Sequence, residues 1–130
     1  MRYLIRGEEK KYQKGTVIFQ ENLPVSNAIC YLVEGLVSGS IEQDGNILYK
    51  ENIKKDNLIG ITSNFVNRKK HLETVIALTD VKLYVWDKEQ FINVVGIYQE
   101  LAKLVISNLS RQLRNLNKIL AKKETNNRDS

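Results

Sequence analysis

Between residues 12 and 86 the apolar positions fall into short runs separated by turn-forming residues. Val17-Ile18-Phe19 precedes the turn Glu21-Asn22-Leu23-Pro24, and Ala28 to Val33 forms a near-continuous apolar run that stops before Gly35. From Leu36 to Glu42 the pattern alternates, with Val37, Gly39 and Ile41 opposite Ser38 and Ser40, as expected for a half-buried strand. Asp44-Gly45 is a two-residue hairpin signal, because both central positions of such a turn require positive φ. The returning strand then puts Ile47, Tyr49 and Ile53 on one side. Thr74 to Leu78 and Lys82 to Trp86, joined by Thr79-Asp80, supply two more strands. Short strands at this spacing predict a mainly β domain, a double-stranded β-helix or jelly-roll β-roll. Trp86 and the tyrosines are expected in its core and seams.

The period then changes. Asp87 is positioned as an N-cap with Gln90 three residues on, predicting a short helix that ends around Gly96. A long helix follows over 98–122, roughly 35–40 Å at 1.5 Å per residue. It carries two apolar stripes. Leu101, Leu104 and Val105 form a patch placed against the roll. Ala102, Ile106, Leu109, Leu113, Leu116 and Leu120 recur with spacings of 4-3-4-3-4, the seam of a coiled coil. A helix packed only on its own roll needs one stripe, so the second predicts a homodimer through the long helix. The expected organisation is a β-roll with its short helix over 1–97, a dimerisation helix over 98–122, and a polar, frayed tail over 123–130.

Length and composition bound the chemistry. With 130 residues, 42% hydrophobic and 27% charged, the chain is one globular domain. No run has the length of a membrane span and no signal pattern opens the chain, so no membrane partner and a cytoplasmic location are expected. One cysteine and one histidine cannot build a Cys₄ cluster or a His₃ metal centre, so no metal site is expected. Cys30 lies in an apolar run and reads as a buried hydrophobe. His71 has no orienting carboxylate beyond Glu73, so there is no catalytic constellation and the chain reads as a non-enzyme. A net charge of +5 and a pI near 9.3 are spread between Arg68-Lys69-Lys70 and the final helix without interleaved aromatics, which fits solubility better than nucleic-acid binding.

Taken in order, Lys14-Gly15-Thr16-Val17-Ile18-Phe19, Tyr31-Leu32-Val33-Glu34-Gly35, Asp44-Gly45, Leu58-Ile59-Gly60 and Thr74-Val75-Ile76-Ala77 resemble the effector domain of the Crp/Fnr family of bacterial regulators. That resemblance spans residues 10 to 122. It implies a cyclic-nucleotide-binding β-roll and a pocket built from a Gly-Glu-Leu turn and a following Arg. In that pocket helix N–H groups and the Arg hold a cyclic phosphate, and the Glu holds a ribose hydroxyl. Here Gly60 is kept, but Ile61 stands at the Glu position and His71, with Lys70 beside it, at the Arg position. Leu116 and Asn117 replace the hydroxyls a cAMP binder carries on the long helix. The glycine usual before the turn is Lys55, and the N-terminal helical segment is shortened. None of these replacements reproduces the lost hydrogen bonds.

The expectation is therefore no cofactor and no cAMP or cGMP in the usual pose. A different small effector, anionic to suit the donors Thr62, Ser63, Asn64, Arg68, Lys69, Lys70 and His71, would be held near Gly60, Ile61, Thr62, Ser63, Lys70, His71, Leu72, Thr74, Leu116 and Asn117; the alternative is a solvated surface loop over a vestigial pocket. The lone Cys30 and lone His71 argue against the iron–sulfur and haem branches. The resemblance further implies a winged helix-turn-helix after the long helix. None is expected before Ser130, so DNA becomes a partner only if that domain follows in the full-length protein. Two readings stand: the sensing and dimerisation part of a Crp/Fnr-type regulator, or a stand-alone ligand- or protein-binding module.

Overall fold

The computed structural model describes residues 2–22, 24, 27–65, 69–71 and 73–128, with the side chains of 65 and 122–128 left aside. Its elements are β1 (Glu8–Tyr12), β2 (Val17–Phe19), β3 (Ala28–Glu34), β4 (Leu36–Gln43), β5 (Asn46–Lys54), β6 (Leu58–Ile59), α1 (Ile61–Phe65), β7 (Thr74–Ala77), β8 (Val81–Asp87), α2 (Lys88–Ile97) and α3 (Gln99–Arg128). The strands form two four-stranded sheets, ordered β1-β8-β3-β6 and β2-β7-β4-β5, with antiparallel pairings throughout. This is the jelly-roll expected from the sequence.

The continuous apolar run of β3 has a structural cause: both of its faces are covered. Cys30 and Leu32 point between the sheets with Phe19, Val37, Ile53, Val75 and Leu83. Ile29 and Tyr31 point the other way, into a second core with Leu58, Ile61, Trp86, Phe91, Val94 and Leu101. The helices thus close the outer face of the first sheet, and β8 alternates in the same manner, Leu83 inward and Trp86 outward. Trp86 donates its indole N–H to the Ile5 carbonyl at 2.8 Å, which ties the N-terminal segment to this second core. Burial pushes the Cys30 thiol up to about 12, so it packs as a small hydrophobe.

The β4–β5 hairpin turns on Asp44 and Gly45, both at positive φ, between the paired residues Gln43 and Asn46. Ile47 does not share the inward face with Tyr49 and Ile53. Ile41 pairs with Tyr49 but Glu42 with Ile47, so Leu48 is an extra residue, a bulge that resets the alternation and leaves Ile47 58% exposed. The left-handed residue before β6 is Asp56 (φ 68), one position after Lys55; its carboxylate accepts the Tyr31 hydroxyl at 2.6 Å.

The capping box at α2 is as expected: Gln90 N–H donates to the Asp87 carboxylate at 2.7 Å, and Asp87 N–H to the Gln90 side chain at 3.0 Å. The long helix is longer than the sequence suggested. It starts at Gln99 and continues through Arg128, past the expected end at 122 and into the stretch read as a frayed tail.

Candidate functional site

The site lies where the second sheet, α1 and the middle of α3 meet. β6 ends in Gly60 at φ 89, and a Cβ there would come within 2.9 Å of the Ala28 carbonyl and 3.2 Å of the Phe19 ring. Only glycine fits that turn. Asn64 locks it by donating its side-chain N–H groups to the carbonyls of Gly60 (2.7 Å) and Ala28 (3.2 Å). Asn64 therefore faces back into the turn, while Thr62 and Ser63 face α3.

Across from them, His71 stacks on Phe19 with ring centroids 4.6 Å apart, and its burial holds the imidazole below its ordinary range, neutral. Glu73 follows. Its carboxylate lies against Gly39, so closely that a Cβ on Gly39 would be 2.7 Å from an oxygen. Gln112 of α3 donates to Glu73 Oε1 at 3.2 Å, linking the roll directly to the long helix. Desolvation first, and the Glu51 carboxylate second, push Glu73 up to about 7, with Arg111 opposing.

A cavity of about 10 Å³ lies on each side of the Glu73–Gln112 pair. One is lined by Phe19, Gly60, Thr62, Ser63, His71, Glu73 and Gln112; the other by Ile41, Tyr49, Glu73, Gln112, Asn115 and Leu116. Each has room for a single water-sized group. Behind the second, Asn115 donates to Tyr49 Oη (2.6 Å) and Glu51 Oε2 (3.3 Å), and Arg111 Nε stands 3.5 Å from the same Glu51 oxygen. One turn earlier, Asn108 accepts the buried Leu58 N–H at 2.9 Å and donates to the Leu104 carbonyl at 3.0 Å.

Of the residues singled out from the sequence, the structure brings Gly60, Thr62, Ser63, His71 and Leu116 to these cavities. Ile61 lies instead in the second core beside Trp86 and Leu101, because one step along α1 turns the side chain away from the cavity. Lys70 is exposed beside Pro24, to which its backbone is bridged. Thr74 Oγ1 accepts from Gln20 Nε2 and Glu21 N–H, fixing the chain after β2 rather than lining a cavity. Asn117 is exposed on α3. Leu72 lies outside the described residues, as does Arg68.

Sequence reasoning missed Phe19, Tyr49, Glu51, Glu73, Arg111, Gln112 and Asn115 as site residues. A signal was present on α3. The roll-facing stripe of Leu101, Leu104 and Val105 continues at helical spacing into Asn108, Gln112 and Asn115. Polar residues at core-facing positions mark a site that packing alone does not explain.

On the adjoining face of α3, Ile106 (65%), Leu113 (60%) and Leu120 (58%) are exposed in the single chain. Leu109 packs partly on the second core and Leu116 lines a cavity, so two positions of the expected seam are taken up within the chain. No helix among the described residues is long and apolar enough to cross a membrane.

Residues 9–98 match the family model described as the cyclic nucleotide-binding domain. In structure the chain is similar to a transcriptional regulator of Thermotoga maritima, at 21% identity and a TM-score of 0.77, covering 95% of this chain and 96% of that one. It is also similar to the catabolite activator protein of Thermus thermophilus, at 17% identity and a TM-score of 0.74, spanning 95% of this chain and 57% of that one. The haem domain of CooA from Carboxydothermus hydrogenoformans aligns at 14% identity with a TM-score of 0.81, covering 98% and 88%. At these identities the likeness is one of fold. No match was found among curated proteins.

Proposed function

Since the chain belongs to the cyclic nucleotide-binding domain family and is similar to effector domains of Crp/Fnr-type regulators, we propose that it senses an effector and dimerises for such a regulator. The observation that carries this reading is the exposed seam Ile106, Leu113 and Leu120, which adjoins the helix face that closes the site. A pair of chains would bury these residues against their equivalents in a two-helix coiled coil, parallel so that whatever follows α3 emerges at one end.

The mechanism is a population shift. Gln112 and Leu116 touch the cavities while Leu113 and Leu116 sit on the seam, so an occupant that moves Gln112 rotates the seam. Two seam packings with different affinities for the occupant would then differ in how they present the attached DNA-binding domains. A cyclic nucleotide in the usual pose is not that occupant. No Glu or Arg stands at the Ile61 and His71 positions to hold its ribose and phosphate, and Glu73 with the Glu51 carboxylate beside it makes the site acidic. The fold itself supports a sensor rather than an enzyme.

The test is the oligomeric state. A carboxylate introduced at the seam must be desolvated on association, so Leu113→Asp turns a dimer into a monomer by light scattering. A Leu113→Asp protein that remains a dimer of unchanged affinity refutes the seam.

A further inference from the structure

The site holds two carboxylates, Glu51 and Glu73, but among the described residues a single guanidinium, Arg111, faces them. Around that trio His71 is held neutral by burial and Glu21 adds a further negative charge, while Tyr49 keeps its proton. With Glu73 ionised the cluster is therefore negative and enclosed, a costly state unless a positive charge enters it. The buried polar atoms without a hydrogen bond there are Arg111 Nε and Nη2 together with Glu51 Oε1, outside the cavity, and Thr62 Oγ1 and Gln112 Oε1 in residues that line it. Gln112 is only 8% exposed and Thr62 9%. The N–H of Gln112 serves Glu73, which with Glu73 ionised leaves Oε1 as the free end of that amide.

We propose that the cavity lined by Phe19, Thr62, Glu73 and Gln112 binds one compact nitrogen cation, ammonium or the head of a primary amine. Its volume of about 10 Å³ matches a group the size of water. The cation's N–H groups would be taken by Glu73, Gln112 Oε1 and Thr62 Oγ1, with Phe19 lining the same cavity. An anion meets the opposite field. The inference rests on reading this pocket as the effector site, and it gives that effector a chemical class.

The experiment is a titration of the whole chain at pH 8 with ammonium chloride, followed by the side-chain amide resonances of Gln112 and Asn115 and the carboxyl resonance of Glu73. Sodium chloride at equal ionic strength is the control, and methylammonium chloride is the second arm. A saturable shift with ammonium, absent with sodium and lost in Glu73→Gln, is expected; stronger binding of methylammonium would assign the amine head rather than free ammonium. Thr62→Val, which keeps the volume and removes the acceptor, should weaken binding several-fold and serves if Glu73→Gln does not fold. Equal responses to sodium and ammonium, or an ammonium response that survives both substitutions, overturn the proposal. Because the readout is local, such a failure leaves the dimer reading standing, whereas a monomeric native chain would sink that reading alone.

Discussion

Replacing Glu73 by glutamine should make the protein more stable above neutral pH, against the usual expectation for a buried substitution. Burial, with Glu51 second, pushes this carboxyl from an ordinary 4.5 up to about 7. At about 1.4 kcal/mol per pH unit of displacement, the folded state's preference for the protonated form amounts to roughly 3 kcal/mol. Between pH 4.5 and 7 the unfolded chain has released this proton while the folded chain retains it. Stability therefore falls as pH rises through that window and is lower by the full amount above 7. Glutamine stays neutral and can still accept from Gln112 through its side-chain carbonyl. Urea unfolding followed by circular dichroism, at one fixed protein concentration because the proposed dimer would add mass action, is the assay. At pH 5 the two proteins should agree within about 1 kcal/mol; at pH 8 the variant should lead by about 2–3 kcal/mol. Parallel stability curves from pH 5 to 8 would refute the placement of a strained carboxyl in the site.

Gly60→Ala forces a Cβ against the Ala28 carbonyl and the Phe19 ring at positive φ, so thermal unfolding should show a loss of about 2 kcal/mol or more; an unchanged midpoint would contradict the turn. Asn108→Leu keeps the volume but orphans the buried Leu58 N–H, and urea unfolding should report a cost of about 1–3 kcal/mol. Calorimetry with cAMP should give no measurable binding heat, and micromolar or tighter affinity would show that the Ile61 and His71 replacements had been given the wrong weight.

The β-roll was legible because its signals are local. The Asp44-Gly45 turn, the doubly covered run of β3 and the Asp87 capping box each follow from a few neighbouring residues, and each stands in the structure as expected. The start of the hairpin's returning strand was not legible, since one extra residue at Leu48 shifts the alternation, so that Ile47 faces out while Tyr49 and Ile53 keep the expected face, and it leaves no mark in composition. The site was half legible. Gly60 and His71 were found through the family pattern, but that pattern also pointed to Ile61, which belongs to the core. Glu73 and Gln112 were missed because they lie 39 residues apart and become partners only when α3 crosses the roll. The helix end was misjudged from polarity alone: Lys, Glu, Asn and Arg tolerate a helix well enough for α3 to continue through residue 128.

The central claim, a parallel pair of α3 helices, is tested most directly by dipolar distance measurement between spin labels. Lys103 and Asn117 are exposed and two heptads apart, and the native Cys30 is buried with a raised thiol, so each position can be labelled singly as cysteine. A parallel pair with helix axes about 8–10 Å apart predicts one narrow separation, on the order of 20–30 Å, that is the same for both positions. Widely different separations at the two positions, or no intermolecular coupling at either, would contradict it.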